Sequence, residues 1–189
     1  MNKSFRLGAV LLVITGLTGL ILGIAYKITE EPIARSQMRQ KMDALRRVLP
    51  LGETFEKRTL PEASEEGFFE MYEGYKEDVL IGYALTLATK GYAGDILLMV
   101  GVSREGVVSG VQILGHQETP GLGARATESS FLDQFHGKST PPLKVVKPPS
   151  REDGIQAITG ATITTRGVAR GVDKALIFVT EHFSEGEER

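Results

Sequence analysis

Apolar positions along the chain follow three different rhythms. Between Arg6 and Lys27 lie twenty residues without a charge, LGAVLLVITGLTGLILGIAY. At helical rise that run spans roughly 30 Å, the thickness of a bilayer's hydrocarbon core. The alternative is a cleaved leader with Gly23-Ile24-Ala25 as its processing site, but a leader's apolar core covers only about 7–15 residues. The run therefore predicts an uncleaved transmembrane helix over 7–26, preceded by a short N-terminus, 1–6. Over 27–52 the rhythm changes. Ile33, Met38, Met42, Leu45, Val48 and Leu49 recur among charged residues, which predicts a connecting amphipathic helix stopped by Pro50 and Gly52.

The third rhythm belongs to 53–189, read as one globular domain. Residues 53–64 are charged and read as a loop. Then 68–75, 79–89, 95–103 and 107–116 are short runs rich in Val, Ile, Leu, Tyr and Phe, separated by Gly74, Gly91, Gly94 and Arg104-Glu105-Gly106. That spacing predicts an antiparallel meander. A short helix is expected over 128–135, ended by Gly137. Four prolines keep 138–149 extended. Val168, Val172, Ala175, Leu176, Val179 and Phe183 share one face of a final amphipathic helix over 165–183, and 184–189 reads as a frayed end. The fold class is α+β: one antiparallel sheet with packed helices behind a single N-terminal transmembrane helix.

Charge adds an orientation. Lys3 and Arg6 precede the apolar run with no acid between them, whereas Lys27, Glu30, Glu31 and Arg35 follow it. The positive-inside bias favours a cytoplasmic N-terminus and an extracytoplasmic domain. Within the run Thr15, Gly19 and Gly23 recur every four residues. They offer a packing face for a partner in the membrane, although glycine is frequent in membrane helices in any case.

Composition mostly excludes. The formal net charge of -2 and the absence of Trp argue against nucleic acid as a partner. With no cysteine there can be no disulfide, thiolate metal site or cysteine-ligated iron–sulfur cluster. The three histidines, His116, His136 and His182, lack any metal-binding spacing, so no metal is expected. Redox chemistry would have to come from an organic cofactor. A threonine-nucleophile hydrolase would need a base beside the threonine, and no local pattern supplies one.

Two segments carry candidate chemistry. In Glu118-Thr119-Pro120-Gly121-Leu122-Gly123, Pro120 fixes its own φ and the glycines permit left-handed backbone and close approach. Such a loop can lie against a planar ligand with Leu122 as an apolar contact; an ordinary strand-to-helix turn has the same composition. In Thr159-Gly160-Ala161-Thr162-Ile163-Thr164-Thr165, four threonines stand before the last helix. Thr164 or Thr165 is expected to cap it. The free N–H groups of the first turn then make an anion site near Thr162, with Gly160 leaving room for a phosphate. A plainly capped helix is the alternative.

Together, His116-x-Glu118-Thr119-Pro120-Gly121-Leu122-Gly123 and Thr159-Gly160-Ala161-Thr162-Ile163-Thr164 resemble the FMN-binding domain family. The segment Lys90-Gly91-Tyr92-Ala93-Gly94-Asp95-Ile96 resembles that family's glycine-rich turn. Within the family the likeness is to the G subunits of Rnf-type ion-translocating ferredoxin:NAD oxidoreductases, whose relatives are the C subunits of sodium-pumping NADH:quinone reductases. The resemblance covers the anchor and nearly all of the domain. It implies an electron carrier in the cell membrane, associated with other integral membrane subunits of an Rnf-type complex. It also implies covalent FMN on the last threonine of S/T-G-A-T, here Thr162, attached by a separate flavin transferase that uses FAD and releases AMP. Thr159, Gly160, Ala161 and Thr164 would complete that segment, with Glu118, Thr119, Gly121, Leu122 and Gly123 beside the ring. Tyr92 could stack on the ring or simply pack in its turn, and His116 could face the flavin or be a loop histidine. One departure stands out: many relatives carry an acid three positions before the motif, where this chain has Gln156, with Asp153 the nearest acid upstream. A different class of reading is a membrane-tethered binding module that is never flavinylated.

Overall fold

A computed structural model describes residues 3–60, 67–149 and 154–183. The chain divides into two compact units, Met1–Met42 and Asp43–Arg189. Helix α1 (Lys3–Val48) is continuous through Pro32. In the first unit its large apolar side chains are exposed on every face, Leu7, Leu12, Leu17 and Leu22 among them. A helix apolar all round has no side to turn to water. Its most apolar 18-residue window has a mean hydropathy of 2.4, so it is long and apolar enough to cross a membrane. The hydroxyls of Thr15 and Thr18 donate back to the carbonyls of Leu11 and Ile14, each at 2.9 Å, which satisfies them without water.

The second unit is built on a five-stranded antiparallel meander, β1 (Thr54–Arg58), β2 (Phe68–Lys76), β3 (Val79–Lys90), β4 (Asp95–Ser103) and β5 (Val108–Gly115), in that spatial order. The hairpin turns explain the order. Glu77 and Asp78, at φ 49° and 64°, join β2 to β3 in the doubly left-handed turn that matches strand twist. Gly106, at φ 73°, closes β4 to β5. Between β3 and β4, Gly91 N–H donates to the Gly94 carbonyl at 2.8 Å.

Alternation along the strands sorts the two faces. Leu85, Leu87, Ile96, Leu98, Val100 and Val102 are buried together with Val168, Val172, Leu176 and Val179 of helix α3 (Thr162–Phe183). Each such side chain contributes about 1.5–3 kcal/mol by leaving water. The opposite face receives the end of α1. Val48 lies so close to the paired Gly101 and Gly110 that a Cβ on either would strike its backbone, and Ser109 donates to the Val48 carbonyl at 2.6 Å.

Between β5 and α3 run a 3-10 turn (Gly123–Thr127), the one-turn helix α2 (Ser129–Leu132), a second 3-10 turn (Asp133–Phe135) and two parallel two-residue strands, β6 (Val145–Val146) and β7 (Ile155–Gln156). Gly137 follows the second turn at φ 78°. The structure corrects the sequence reading in three places. Gly74, expected to separate two strands, lies inside β2 opposite Phe55 and Gly82, and Glu77-Asp78 make the turn instead. Residues 54–58 form the edge strand β1 rather than a loop; four of its five residues are exposed, so alternation had almost no buried face to mark. Helix α3 starts at Thr162, three residues earlier than expected; its first turn is held by Thr165 bonding back to Ala161 and Ile158 and by Thr164 bonding to Glu118.

Candidate functional site

Three backbone segments meet at the start of α3. The β3–β4 turn is one. It is brought close because Gly167 leaves no side chain between α3 and β3: a Cβ there would strike the Lys90 carbonyl. Thr89 donates to the Gly167 carbonyl at 2.9 Å, and Arg170 to the Lys90 carbonyl at 3.2 Å. The second is the loop after β5, whose Gly121 sits at φ 76° and whose Leu122 and Ala124 N–H both return to the Thr119 carbonyl at 3.2 Å. The third is Gly160-Ala161 with the first turn of α3; Gly160, at φ 81°, packs against Leu122.

Glu118 joins them. Its carboxylate is buried, with 5% of the residue exposed. Oε1 accepts the N–H groups of Tyr92 at 2.8 Å and Ala93 at 3.0 Å, and Oε2 accepts the Thr164 hydroxyl at 2.5 Å. Burial alone would push the carboxyl's pKa up, but the bonds from Thr164, Ala93 and Tyr92 outweigh it and hold it below the ordinary value. His116 stands behind this group: its Nδ1 accepts the Glu118 N–H at 3.1 Å.

Together these segments enclose a cavity of about 420 Å³ lined by Tyr92, Glu118, Thr119, Leu122, Gly123, Gly160, Ala161, Thr162, Ile163 and Thr164. That volume lies within the range of cofactor sites. Tyr92, Leu122 and Ile163 are exposed apolar parts of its lining. Thr162, Ile163 and Thr164 also open a 22-residue helix, and the N–H groups at a helix start lack helical acceptors and favour an anion.

The four threonines are not equivalent. Thr164 is committed to Glu118. Thr165 accepts the Ile158 N–H at 3.1 Å and donates to the Ala161 carbonyl at 3.0 Å. Neither caps the helix as expected from sequence; both sit inside the first turn and are buried. Thr159 is exposed and lies outside the cavity lining. Thr162 is half-buried, lines the cavity and makes no hydrogen bond through its hydroxyl among the described residues.

Of the residues singled out from sequence, Tyr92, Glu118, Thr119, Leu122, Gly123, Gly160, Ala161, Thr162 and Thr164 share this cavity. Thr159, Gly121 and His116 do not line it; Gly121 shapes the loop and His116 braces Glu118. Ile163 was missed, although half of it is exposed at the mouth. Gln156 is exposed, and the Gln134 side chain brackets its backbone, Oε1 accepting its N–H at 2.7 Å. Asp153 lies outside the described residues. No group of three or more potential metal ligands occurs among the described residues.

The model of the FMN-binding domain family matches residues 91–177, a span that contains every residue lining the cavity. The G subunit of the proton-translocating ferredoxin:NAD(+) oxidoreductase complex of Clostridium ljungdahlii is 36% identical over 95% of this chain and 93% of its own length. The chain belongs to the family of these G subunits. The G subunit of the Na(+)-translocating complex of Acetobacterium woodii is 37% identical over 91% of this chain and 89% of its own. The family thus carries different ions in its names at nearly equal identity. Among solved structures, the C subunit of the Na(+)-translocating NADH-quinone reductase of Parabacteroides distasonis superposes with a TM-score of 0.58 at 20% identity, covering 82% of this chain and 98% of that one. That likeness concerns the fold, and it places this G-subunit domain in the same α+β architecture.

Proposed function

We propose that this chain is the membrane-anchored flavin subunit of an Rnf-type complex, carrying FMN as a phosphoester on Thr162 and passing electrons between neighbouring redox centres on the path between ferredoxin and NAD. The observation that carries the reading is the division of labour among the threonines. Of the four threonines before and within the first turn of α3, two hydroxyls are consumed by the fold, one lies outside the cavity, and that of Thr162 is unengaged among the described residues; Thr119, the other cavity threonine, stands on the loop after β5 and not at a helix N-terminus. The residues fit the group: first-turn N–H groups for a phosphodiester that keeps one negative charge, and Tyr92, Leu122 and Ile163 for the ring.

Attachment balances as a phosphoryl transfer. The Thr162 oxygen bonds to the FMN phosphorus of FAD, the P–O–P linkage breaks, AMP leaves, and the hydroxyl proton is lost to solvent or to the flavin transferase. Bound FMN supplies reversible electron uptake; the chain supplies orientation and electrostatics. The apolar helix near the N-terminus holds the domain at the cell membrane, with Lys3 and Arg6 on the cytoplasmic side and the flavin domain outside. A covalent bond suits a carrier facing outward, since a dissociable cofactor made inside the cell would be lost to dilution.

Intact-mass measurement tests this. The full chain co-expressed with a flavin transferase should gain the mass of one FMN phosphoester and fluoresce after denaturation. Thr162→Ala should be folded, membrane-bound and colourless. A Thr162→Ala chain that keeps the added mass would move the bond elsewhere, and a wild-type chain that never gains it would leave a tethered binding module.

A further inference from the structure

The cavity beside Thr162 has a charged wall that the attachment chemistry does not use. On the reading that the flavin occupies this cavity, we infer that Glu118 is a charged positioning residue. Its carboxylate ties the three cavity walls together, and its uncompensated negative charge lowers the reduction potential of the bound flavin.

The positioning half follows from the bonds. Oε1 holds the N–H groups of Tyr92 and Ala93, and Oε2 holds the Thr164 hydroxyl, partners 26, 25 and 46 residues away in the chain. The backbone makes room for both oxygens. A Cβ at Gly91 would strike Oε1, and one at Gly123 would strike Oε2 and stand 2.9 Å from Thr164 Oγ1. Turn, loop and helix can therefore approach each other only with this carboxylate between them.

The charge half follows from what is bonded. Two N–H groups and a hydroxyl all point at the two oxygens, and an ionised carboxylate, which only accepts, satisfies all three. No described Lys or Arg pairs with Glu118. Of the cations nearest in sequence to the cavity segments, Lys90 pairs with Asp95 at 2.7 Å, Arg125 with Glu128 at 3.1 Å, Arg170 donates to the Lys90 carbonyl, and Arg166 is exposed on α3. Dipoles lessen the carboxylate's charge without cancelling it. Reduction adds electrons to the ring, and a fixed negative charge on the wall of a partly dry cavity raises the energy of the reduced form.

The test uses the full chain, flavinylated by co-expression, with intact mass read first and the flavin's midpoint potential read by spectroelectrochemistry. Glu118→Gln keeps the shape and removes the charge, so the potential should shift upward. Thr164→Val keeps the charge and removes one of the dipoles that offset it, so the potential should shift downward. A role confined to packing gives no reason for opposite signs. A wild-type chain without flavin mass would end the attachment reading and this inference with it. A flavinylated Glu118→Gln chain at the wild-type potential would end this inference alone. If Glu118→Gln takes no flavin, Thr164→Val decides: a downward shift supports the charge, while no shift or an upward one overturns it.

Discussion

Glu73 and Glu118 are both buried, at 8% and 5% exposure, yet their partners differ in kind. Glu73 lies on β2 near the edge of the sheet, where its carboxylate pairs with the Arg58 guanidinium of β1 and accepts the Tyr75 hydroxyl at 2.8 Å. Arg58 in turn stands 5.2 Å from the centre of the Phe183 ring, which stacks on Tyr83 at 4.5 Å. The charge of Glu73 is thus cancelled by its nearest neighbour, and the cluster binds the edge strand to the end of α3. The Glu118 carboxylate is hydrogen-bonded only by dipoles, the Tyr92 and Ala93 N–H groups and the Thr164 hydroxyl, and pairs with no described Lys or Arg. A buried charge left without a cation is costly to a fold, so a domain that keeps one beside a cofactor cavity and neutralises the other far along the sheet separates two uses of the same side chain. One holds strands together; the other carries a field into a site.

The largest effect expected from breaking the comparison falls on the Glu73 side. Arg58→Ala leaves Glu73 with Tyr75 alone. Removing one member of a fully buried pair costs about 3–5 kcal/mol; half the Arg58 side chain is exposed, so water recovers part of this and about 2 kcal/mol is expected. Urea unfolding of the flavinylated chain measures it, and the flavin potential should not move. An unchanged urea midpoint would mean that solvent already screens Glu73.

Next come the glycines that shape the other cluster. Gly123→Ala puts a Cβ 2.8 Å from the Glu118 Cβ and 2.9 Å from Thr164 Oγ1. Overpacking there should cost about 1–3 kcal/mol and disturb the flavin spectrum, because the carboxylate must move. Gly121→Val acts by another route. Nothing lies within 4 Å of a Cβ at Gly121, but its φ is 76°, so the cost of about 1–2 kcal/mol comes from the backbone alone. Flavin attachment should persist in both variants. A Gly121→Val chain with wild-type stability and spectrum would show that the loop relaxes freely and does not shape the flavin's surroundings.

How much of this was legible in the sequence depended on the range of the forces involved. The strands of the meander announced themselves as short runs rich in Val, Ile, Leu, Tyr and Phe, and two of their turns by Gly91, Gly94 and Gly106, whereas the Glu77-Asp78 turn was not marked. Edge strand β1 did not: Thr54-Phe55-Glu56-Lys57-Arg58 is nearly all exposed, and pairing with β2 rather than burial makes it a strand. The two cavity segments could be found from their glycines and threonines, but their mutual contacts could not. The local rule that threonine caps a helix gave the wrong roles to Thr164 and Thr165: the Thr164 hydroxyl answers to Glu118, 46 residues away, and the Thr165 hydroxyl bonds to Ala161 and Ile158 from inside a helix that starts earlier than expected. Ile163 stood only as an apolar residue between threonines, ahead of a helix expected over 165–183, so its exposed place in the first turn of α3 left no signal. The Arg58–Glu73–Tyr75 cluster left no signal in the sequence, being made by strand register alone.

The smallest effects, and the ones that separate the two carboxylates most cleanly, come from pH. Glu73 holds the Tyr75 hydroxyl as a donor, and that hydrogen bond, with burial behind it, pushes the Tyr75 pKa from its ordinary 10 up to about 12. The folded state then holds the proton more tightly than the unfolded chain. The contribution is complete below pH 10 and is lost as pH rises toward 12. Glu118 works at the other end. Its folded pKa lies below the ordinary 4.5, so the unfolded chain binds the proton more tightly. That contribution is complete above pH 4.5 and is lost as pH falls through the lowered folded value. Unfolding free energies collected across both ranges should therefore respond independently: Tyr75→Phe should flatten the alkaline limb and leave the acid limb intact, and Glu118→Gln should do the reverse. The phenolate absorbance of Tyr75 should emerge near pH 12 in the wild type; emergence near 10 would break the bond to Glu73. If Glu118→Gln left the acid limb as steep as before, Glu118 would hold its proton equally in the folded and unfolded chain, its bonds would not favour the charged form, and the contrast between a neutralised carboxylate and a bare one would fail at its second member.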